Sequence, residues 1–313
     1  AGVNTMPNTD TDDALEALMN QHQLPPAYRR TVNDVLEPLA LSLYQASRHA
    51  DTPLVVGIHG AQGTGKSTLT DFLRVLLAYR YKCPTASLSL DDIYCTREQR
   101  ATLANEVDPL LMTRGVPGTH DLTLGNRVLD RLLAANAGSR TAMPTFNKAL
   151  DDREPEENWP LFIGRPEIIL VEGWCLGALP EPETALAGPM NALEANEDSG
   201  GDWRTYVNDQ LRGPYQAFFD RLDLLIMLKA PSMEAVTRWR TEQERKLAER
   251  YLSAPRVGED GGRPAPEVRI MGDQELERFI MHYERITRHC LDEMPDRADV
   301  LLELDEDHNL TQV

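Results

Sequence analysis

No run of eighteen or more apolar residues occurs in this 313-residue chain, which excludes a membrane-spanning helix on length alone. Positive charge is scarce. Lys and Arg number 32 against 50 Asp and Glu, for a net charge of -18. Nucleic acid and anionic membranes both need spread-out basic surface, so neither is expected as a partner. The few cations must then be concentrated wherever an anionic small-molecule substrate binds. Cysteine is sparse too: Cys83, Cys95, Cys175 and Cys290 show neither CxxC nor metal-ligand spacing. They read as reduced thiols of a cytoplasmic protein. The first residues lack the basic, apolar, small-residue order of a secretory signal. Internal repeats and low-complexity tracts are also missing.

Hydrophobic residues make up 41% of the chain, enough for a sizeable core. Residues 10–50 show apolar stripes at helical spacing, split by Pro25 and Pro26, and read as two helices. From Pro53 the texture changes. PLVVGIHG (53–60), TASLSLDD (85–92), EIILVEGW (167–174) and LDLLIMLKA (222–230) read as strands, and ADVLLELD (298–305) as the last one. Helical patterns lie between them at 65–81, 96–106, 122–136, 232–250 and 273–293. Strands alternating with helices predict an α/β fold, a mostly parallel sheet covered by helices on both faces. The expected division is an N-terminal helical extension, 1–50, and one domain, 51–313. Two segments look loose within it, near 180–202 and 252–268, being rich in acid, Pro and Gly.

The most specific local pattern is Gly60-Ala-Gln-Gly63-Thr64-Gly65-Lys66-Ser67-Thr68, which fits G-x-x-x-x-G-K-[ST] between a buried-type strand and a helix. Glycines let backbone N–H groups converge on phosphates, and the helix N-terminus adds its positive dipole end. Lys66 is placed to reach the β- and γ-phosphates of ATP, and the Ser67 hydroxyl to ligate Mg²⁺.

Two strands end in acids. The second closes on Ser89-Leu90-Asp91-Asp92-Ile93-Tyr94 and the third on Val171-Glu172-Gly173. In open α/β sheets ligands bind at the carboxyl ends of strands. A carboxylate there can accept the proton of an attacking hydroxyl, or hold Mg²⁺ directly or through water. Asp91 fits the first role and both Asp91 and Glu172 the second. The bland reading is that Asp91 or Asp92 caps the following helix.

Cations suited to an acceptor fall in three clusters: Arg114 with His120 and Asp121; Lys148 with Arg153; and Arg240 with its neighbours on a long helix. Asn147-Lys148-Ala149-Leu150 begins like a guanine-reading NKxD but has Leu in the base-reading position, and no strand ends in DxxG. A GTPase switch is therefore disfavoured. A nucleotide-binding regulator without transfer activity stays open as an alternative.

Taken in order, GxxGxGKST, SLDDIY, RGVPGTHDL, PTFNKALDDR, LVEGWCLG and TRWRTEQE resemble the plant-type D-glycerate 3-kinases and their bacterial and fungal relatives. These sit in the P-loop kinase group with phosphoribulokinase, uridine kinase and pantothenate kinase, and the likeness spans roughly 53–310. It implies a P-loop NTPase fold and an ATP- and Mg²⁺-dependent kinase of a small hydroxylated metabolite, with D-glycerate as the leading acceptor and a nucleoside, pantothenate or another sugar acid as alternatives. By the same resemblance Gly60, Gly63, Thr64, Gly65, Lys66, Ser67, Thr68 and Arg240 hold nucleotide, and Ser67, Glu172 and Asp91 surround the metal. Asp91, Lys66 and Arg153 carry the transfer, and Asp92, Tyr94, Arg114, His120, Asp121 and Lys148 meet the acceptor. One departure stands out: Asn147 occupies the position where the family has Asp.

Overall fold

A computed structural model describes residues 8–253 and 270–312. Helix α1 (Asn8–Gln21) is followed by α2 (Tyr28–Thr31), which continues through a π turn at Val32–Leu36 into α3 (Glu37–Arg48). Strand β1 (Leu54–Gly60) leads into α4 (Lys66–Val75), which a π turn prolongs to Arg80, then β2 (Thr85–Ser89), α5 (Arg97–Glu106) and α6 (Leu122–Leu133). Four short strands follow: β3 (Arg140–Ala142), β4 (Phe146–Asn147), β5 (Asp152–Arg153) and β6 (Leu161–Ile163). They pair antiparallel, β3 with β6 and β4 with β5. The remainder is β7 (Ile168–Gly173), α7 (Ala192–Glu197), α8 (Asp202–Gln210), α9 (Gln216–Phe219), β8 (Leu224–Lys229), α10 (Met233–Ser253), α11 (Asp273–Glu293), β9 (Val300–Leu304) and β10 (Leu310–Gln312).

Six strands form the central sheet in the order β10-β9-β8-β1-β7-β2. All neighbours are parallel except β10 with β9. β1 and β7 are buried along their whole length, as expected of parallel strands covered on both faces. Successive residues alternate between the two faces. Leu54, Val56, Ile58, Leu170 and Ile226 pack toward α1–α4, whereas Val55, Ile169, Val171 and Met227 pack toward α6, α8, α9 and α11. The N-terminal helices thus share a core with the helix that begins at the phosphate loop: Leu15, Leu36, Leu39 and Leu43 lie in one cluster with Phe72, Leu73 and Leu76.

The expectation that 298–305 is the last strand is corrected: β10 returns antiparallel along β9. Asp305 makes the turn, its Oδ1 accepting from the N–H groups of Asp307 and Asn309 at 2.8 and 2.9 Å. His308 adopts the left-handed φ of +63° there. Such an Asp-initiated turn is a local side-chain effect that hydrophobic periodicity does not register. Similarly, α8 runs into α9 through a π turn that contains Pro214. A Pro removes an N–H from the α-helical ladder, and the wider turn absorbs the loss.

The acidic segment 180–202 carries a 3-10 turn at Glu183–Leu186 and helix α7. Glu194 of α7 is fully buried and takes Nε and Nη2 of Arg285 from α11 at 2.9 and 2.6 Å. Of the other segment, 252–268, everything from 254 onward lies outside the described residues. Among the described residues no helix is long and apolar enough to cross a membrane.

Candidate active site

Parallel register brings the functional strand ends together. Glu172 lies opposite Ile58 of β1 on one side and Ser89 of β2 on the other. The phosphate loop, Glu172 and the acids after β2 therefore meet at one carboxyl edge of the sheet, as the fold class requires.

Gly65 is the N-cap of α4 in the left-handed conformation, φ +85°, and a Cβ placed there would meet no atom within 4 Å. Glycine is needed at this position for its backbone, and the space before the helix N-terminus is left open for phosphate. The loop braces itself. Thr64 donates its hydroxyl to Ala61 O at 2.7 Å and is buried, so this side chain shapes the loop instead of facing outward. His308 from the β9–β10 turn contacts Gly63 O through Nε2 at 2.8 Å and stacks on Trp239 of α10. Thr68 has an unforeseen neighbour: its Oγ1 lies 3.3 Å from Nδ1 of His22, whose Nε2 lies 2.9 Å from Asp71 Oδ2. Nothing in the local pattern around His22 announced that link between α1 and α4.

Ser67 Oγ donates to Glu172 Oε1 at 3.3 Å, and Glu172 Oε2 is buried without a partner among the described residues. An unsatisfied carboxylate oxygen inside a protein is costly, and a cation resolves it. Among the described residues no trio of His, Cys, Asp or Glu could hold a metal by itself. Mg²⁺ does not require one, since it takes one or two protein oxygens and completes its shell with water and substrate phosphates. The hydroxyl and carboxylate present here suit that hard ion. Burial raises the Glu172 carboxyl, with the Asp91 charge adding to the rise and Lys66 opposing it.

Neither acid of the second strand caps the next helix. Ser89 caps the short turn Leu90–Asp92 by accepting from Asp91 N, and Thr96 with Gln99 forms a capping box on α5. Both Asp91 oxygens are engaged: Tyr94 Oη donates to Oδ1 and Lys148 Nζ to Oδ2, each at 2.7 Å. Burial would raise the Asp91 carboxyl, but Lys148 and Lys66, with those two hydrogen bonds, outweigh it and hold Asp91 well below the usual carboxylate range. Asp92 goes the other way. Burial, aided by the Asp91 and Glu172 charges, pushes it up to about 6 despite the hydrogen bond it accepts from Phe146 N. Adjacent acids are thus split, with Asp91 held in its ionised form and Asp92 shifted toward its neutral form.

Arg114, Lys148 and Arg240 line one cleft of about 440 Å³ together with Phe279. Arg240 donates to Glu244 at 2.8 Å, and its guanidinium sits 5.4 Å from the Phe279 ring centre. His120 and Asp121 line a neighbouring depression instead. Asp121 caps α6 through Leu124 N and pairs with Arg153 Nη2 at 3.3 Å. Arg153 also donates to Tyr94 O at 2.8 Å, and its Nε is buried without a partner among the described residues. Burial lowers His120 to about 4, so it is neutral. The Tyr215 hydroxyl accepts from Gly118 N and His120 N and lies 2.5 Å from His120 Nδ1. Its one proton therefore goes to Nδ1, which leaves the histidine proton on Nε2. Tyr283 Oη donates to Arg114 O at 3.1 Å, and a Cβ on Gly115 (φ +143°) would fall 2.1 Å from that hydroxyl oxygen. Tyr215 and Tyr283 shape the acceptor-side loop from distant helices, which no spacing rule could show.

Asn147 has a structural role. Its Oδ1 accepts from Leu150 N at 3.0 Å and its Nδ2 donates to Glu154 Oε1 at 2.8 Å, closing the β4–β5 turn. A carboxylate could not donate to Glu154 and would repel it. Asn147→Asp is expected to lower stability by about 1 kcal/mol, the typical worth of such a bond, and to give no rise in kcat. Denaturant midpoints and steady-state rates check this, and a gain in kcat would return the position to the reaction site.

No protein-family model matches the chain. Among curated proteins it is 30% identical over 238 residues to a kinase of Schizosaccharomyces pombe named uncharacterized kinase mug58, covering 74% of this chain and 78% of that one. It is 29% identical over 273 residues to the chloroplastic D-glycerate 3-kinase of Arabidopsis thaliana, covering 82% of this chain and 54% of that longer protein. The chain thus spans about half the length of the plant relative. A pantothenate kinase of Streptomyces coelicolor is 27% identical over 168 residues, 52% of this chain and 47% of that one. In fold, the solved D-glycerate 3-kinase of Cryptococcus neoformans superposes with a TM-score of 0.69 at 23% identity, covering 92% of this chain and all of that one. With a 30% identical kinase matched across more than two thirds of its length, the chain belongs to the family of ATP-dependent P-loop small-molecule kinases that includes D-glycerate 3-kinase.

Proposed function

We propose that this kinase phosphorylates a hydroxyl of D-glycerate, giving 3-phosphoglycerate, with Mg-ATP as donor. The observation that carries the reading is Asp91: ionised, at the end of β2, and under the influence of the Lys66 charge. The plant D-glycerate 3-kinase aligned over 82% of the chain supports the choice of acceptor.

ATP phosphates are cradled by the loop 60–67, with Lys66 directed at the transferring group. Ser67 and Glu172 would hold Mg²⁺, which would supply charge neutralisation at the phosphates. A carboxylate offers about four acceptor positions. Tyr94 and Lys148 use two at Asp91, so lone pairs are left for the acceptor hydroxyl. Asp91 orients that hydroxyl and takes its proton as the phosphoryl group moves in line. Its low proton affinity suits a loose transition state, in which the proton leaves late. The Lys148 ammonium, more than half exposed, offsets the negative charge gathered where Asp91 meets the phosphates. Arg114 and Arg240 make the cleft attractive to an acceptor carboxylate.

The test is ADP release with Mg-ATP against D-glycerate, L-glycerate, pantothenate and uridine. Turnover with D-glycerate well above the others is the expected result. Preference for pantothenate or uridine would replace the acceptor and keep the reaction. A flat panel from a protein that binds ATP would favour a regulator.

A further inference from the structure

Asp151 is the one residue of the β4–β5 turn whose backbone and side chain pull in opposite directions. Its φ is +53°, a left-handed conformation that glycine enters without steric cost and that few other residue types tolerate. The turn itself needs no carboxylate, since Asn147 and the bond from Asp151 N to Lys148 O close it. What requires an acid is the surroundings. Arg100 is fully buried, and its guanidinium donates to Cys95 O, Met112 O and Asp151 O. Its counter-charge is the Asp151 carboxylate, at 3.1 Å.

The same carboxylate takes Nη1 of Arg114 at 2.6 Å. Both guanidinium groups sit over one ring, Phe146, at 6.0 and 5.7 Å from its centre. Arg100 is locked into the protein, whereas Arg114 is about a quarter exposed and lines the cleft that also holds Lys148. Lys148 in turn touches Asp91. Asp151 therefore transfers the rigidity of a buried cation to an exposed one.

We infer that Asp151 is a positioning residue for the acceptor: it fixes Arg114 as the receptor for the substrate's carboxylate, using buried Arg100 as its anchor. The inference rests on the acceptor being a hydroxy acid. Pre-organisation of this kind lowers the ordering cost of binding, so it acts on the acceptor's KM. It should leave the ATP site alone, because none of the groups involved belongs to the phosphate loop.

Asp151→Asn and Asp151→Gly both tolerate the left-handed backbone, and in either one Arg100 keeps the carbonyls of Cys95, Met112 and residue 151 as acceptors. Each is expected to raise KM for D-glycerate roughly tenfold or more, the loss of about one charge-assisted hydrogen bond, with KM for ATP within about twofold. In an Arg114→Met background the further effect of Asp151→Asn should vanish, since coupled residues are non-additive. A residue that merely held the fold would move both KM values together, or act additively with Arg114→Met, and either result overturns the inference. An unchanged KM for D-glycerate in Asp151→Asn also overturns it while leaving the acceptor reading intact. A wild type that turns over no hydroxy acid would instead overturn the acceptor reading, and the carboxylate receptor with it.

Discussion

Asp91→Asn is expected to lower kcat roughly 10³-fold, within the range for loss of a general base, while the Kd for ATP moves by no more than about twofold. The amide keeps the shape of the side chain and can still accept from Tyr94, but it cannot take a proton from an acceptor hydroxyl. It also strands Lys148, which now pairs with Asp91 Oδ2 at 2.7 Å. The fold should tolerate the change, because Asp91 is about a quarter exposed and caps no helix. Single-turnover rates with saturating D-glycerate, beside calorimetric ATP binding, separate the two quantities. A variant that retains wild-type turnover would mean that Asp91 only orients Lys148, and that the proton leaves through solvent.

Lys66→Ala should remove detectable transfer and weaken ATP binding about 10- to 100-fold, the span expected for one hydrogen bond to a charged group. Loss in the transition state exceeds loss in the ground state, since charge develops on the oxygens that Lys66 faces. A second consequence can be measured without substrate. Lys66 restrains the proton affinity of Asp91 and of Glu172, so its removal should raise both carboxyls. Burial already lifts Glu172, and in the variant it should titrate higher still. Carboxyl titration by NMR in wild type and variant reads this directly. Transfer surviving in Lys66→Ala would sink the phosphate-cradle assignment.

Much of this site was legible because its parts are local. The phosphate loop needs its residues in sequence, Glu172 closes an apolar run that only a buried strand would carry, and Asp91 is the first of two adjacent acids just after a strand. What stayed hidden depends on contacts between distant segments. That Asn147 closes a turn could not be read without its partner Glu154. Thr64 turns its hydroxyl back on Ala61, although its place in the loop suggested phosphate. Tyr215 lies in helical sequence interrupted by Gly213 and Pro214, a pair that ordinarily signals a break, yet its hydroxyl governs His120. The small antiparallel pairs of two or three residues are too short for periodicity to register. Strand β10 escaped for the same reason, being three residues long with Leu310 as its single apolar residue.

The shared core of the first helices has a consequence for biosynthesis. Leu15, Leu36 and Leu43 join a cluster that includes Ile168, Ile226 and Leu302, whose strands leave the ribosome long after the first helices. Among the described residues the central strand β1 likewise pairs only with β7 and β8, both made long after it. The nascent chain therefore carries an uncovered apolar face until β7, β8 and β9 have emerged, and contacts so distant in sequence form slowly. Exposure of that kind invites aggregation. The large excess of acidic residues, spread from the first helix to the β9–β10 turn, keeps such waiting chains apart by mutual repulsion.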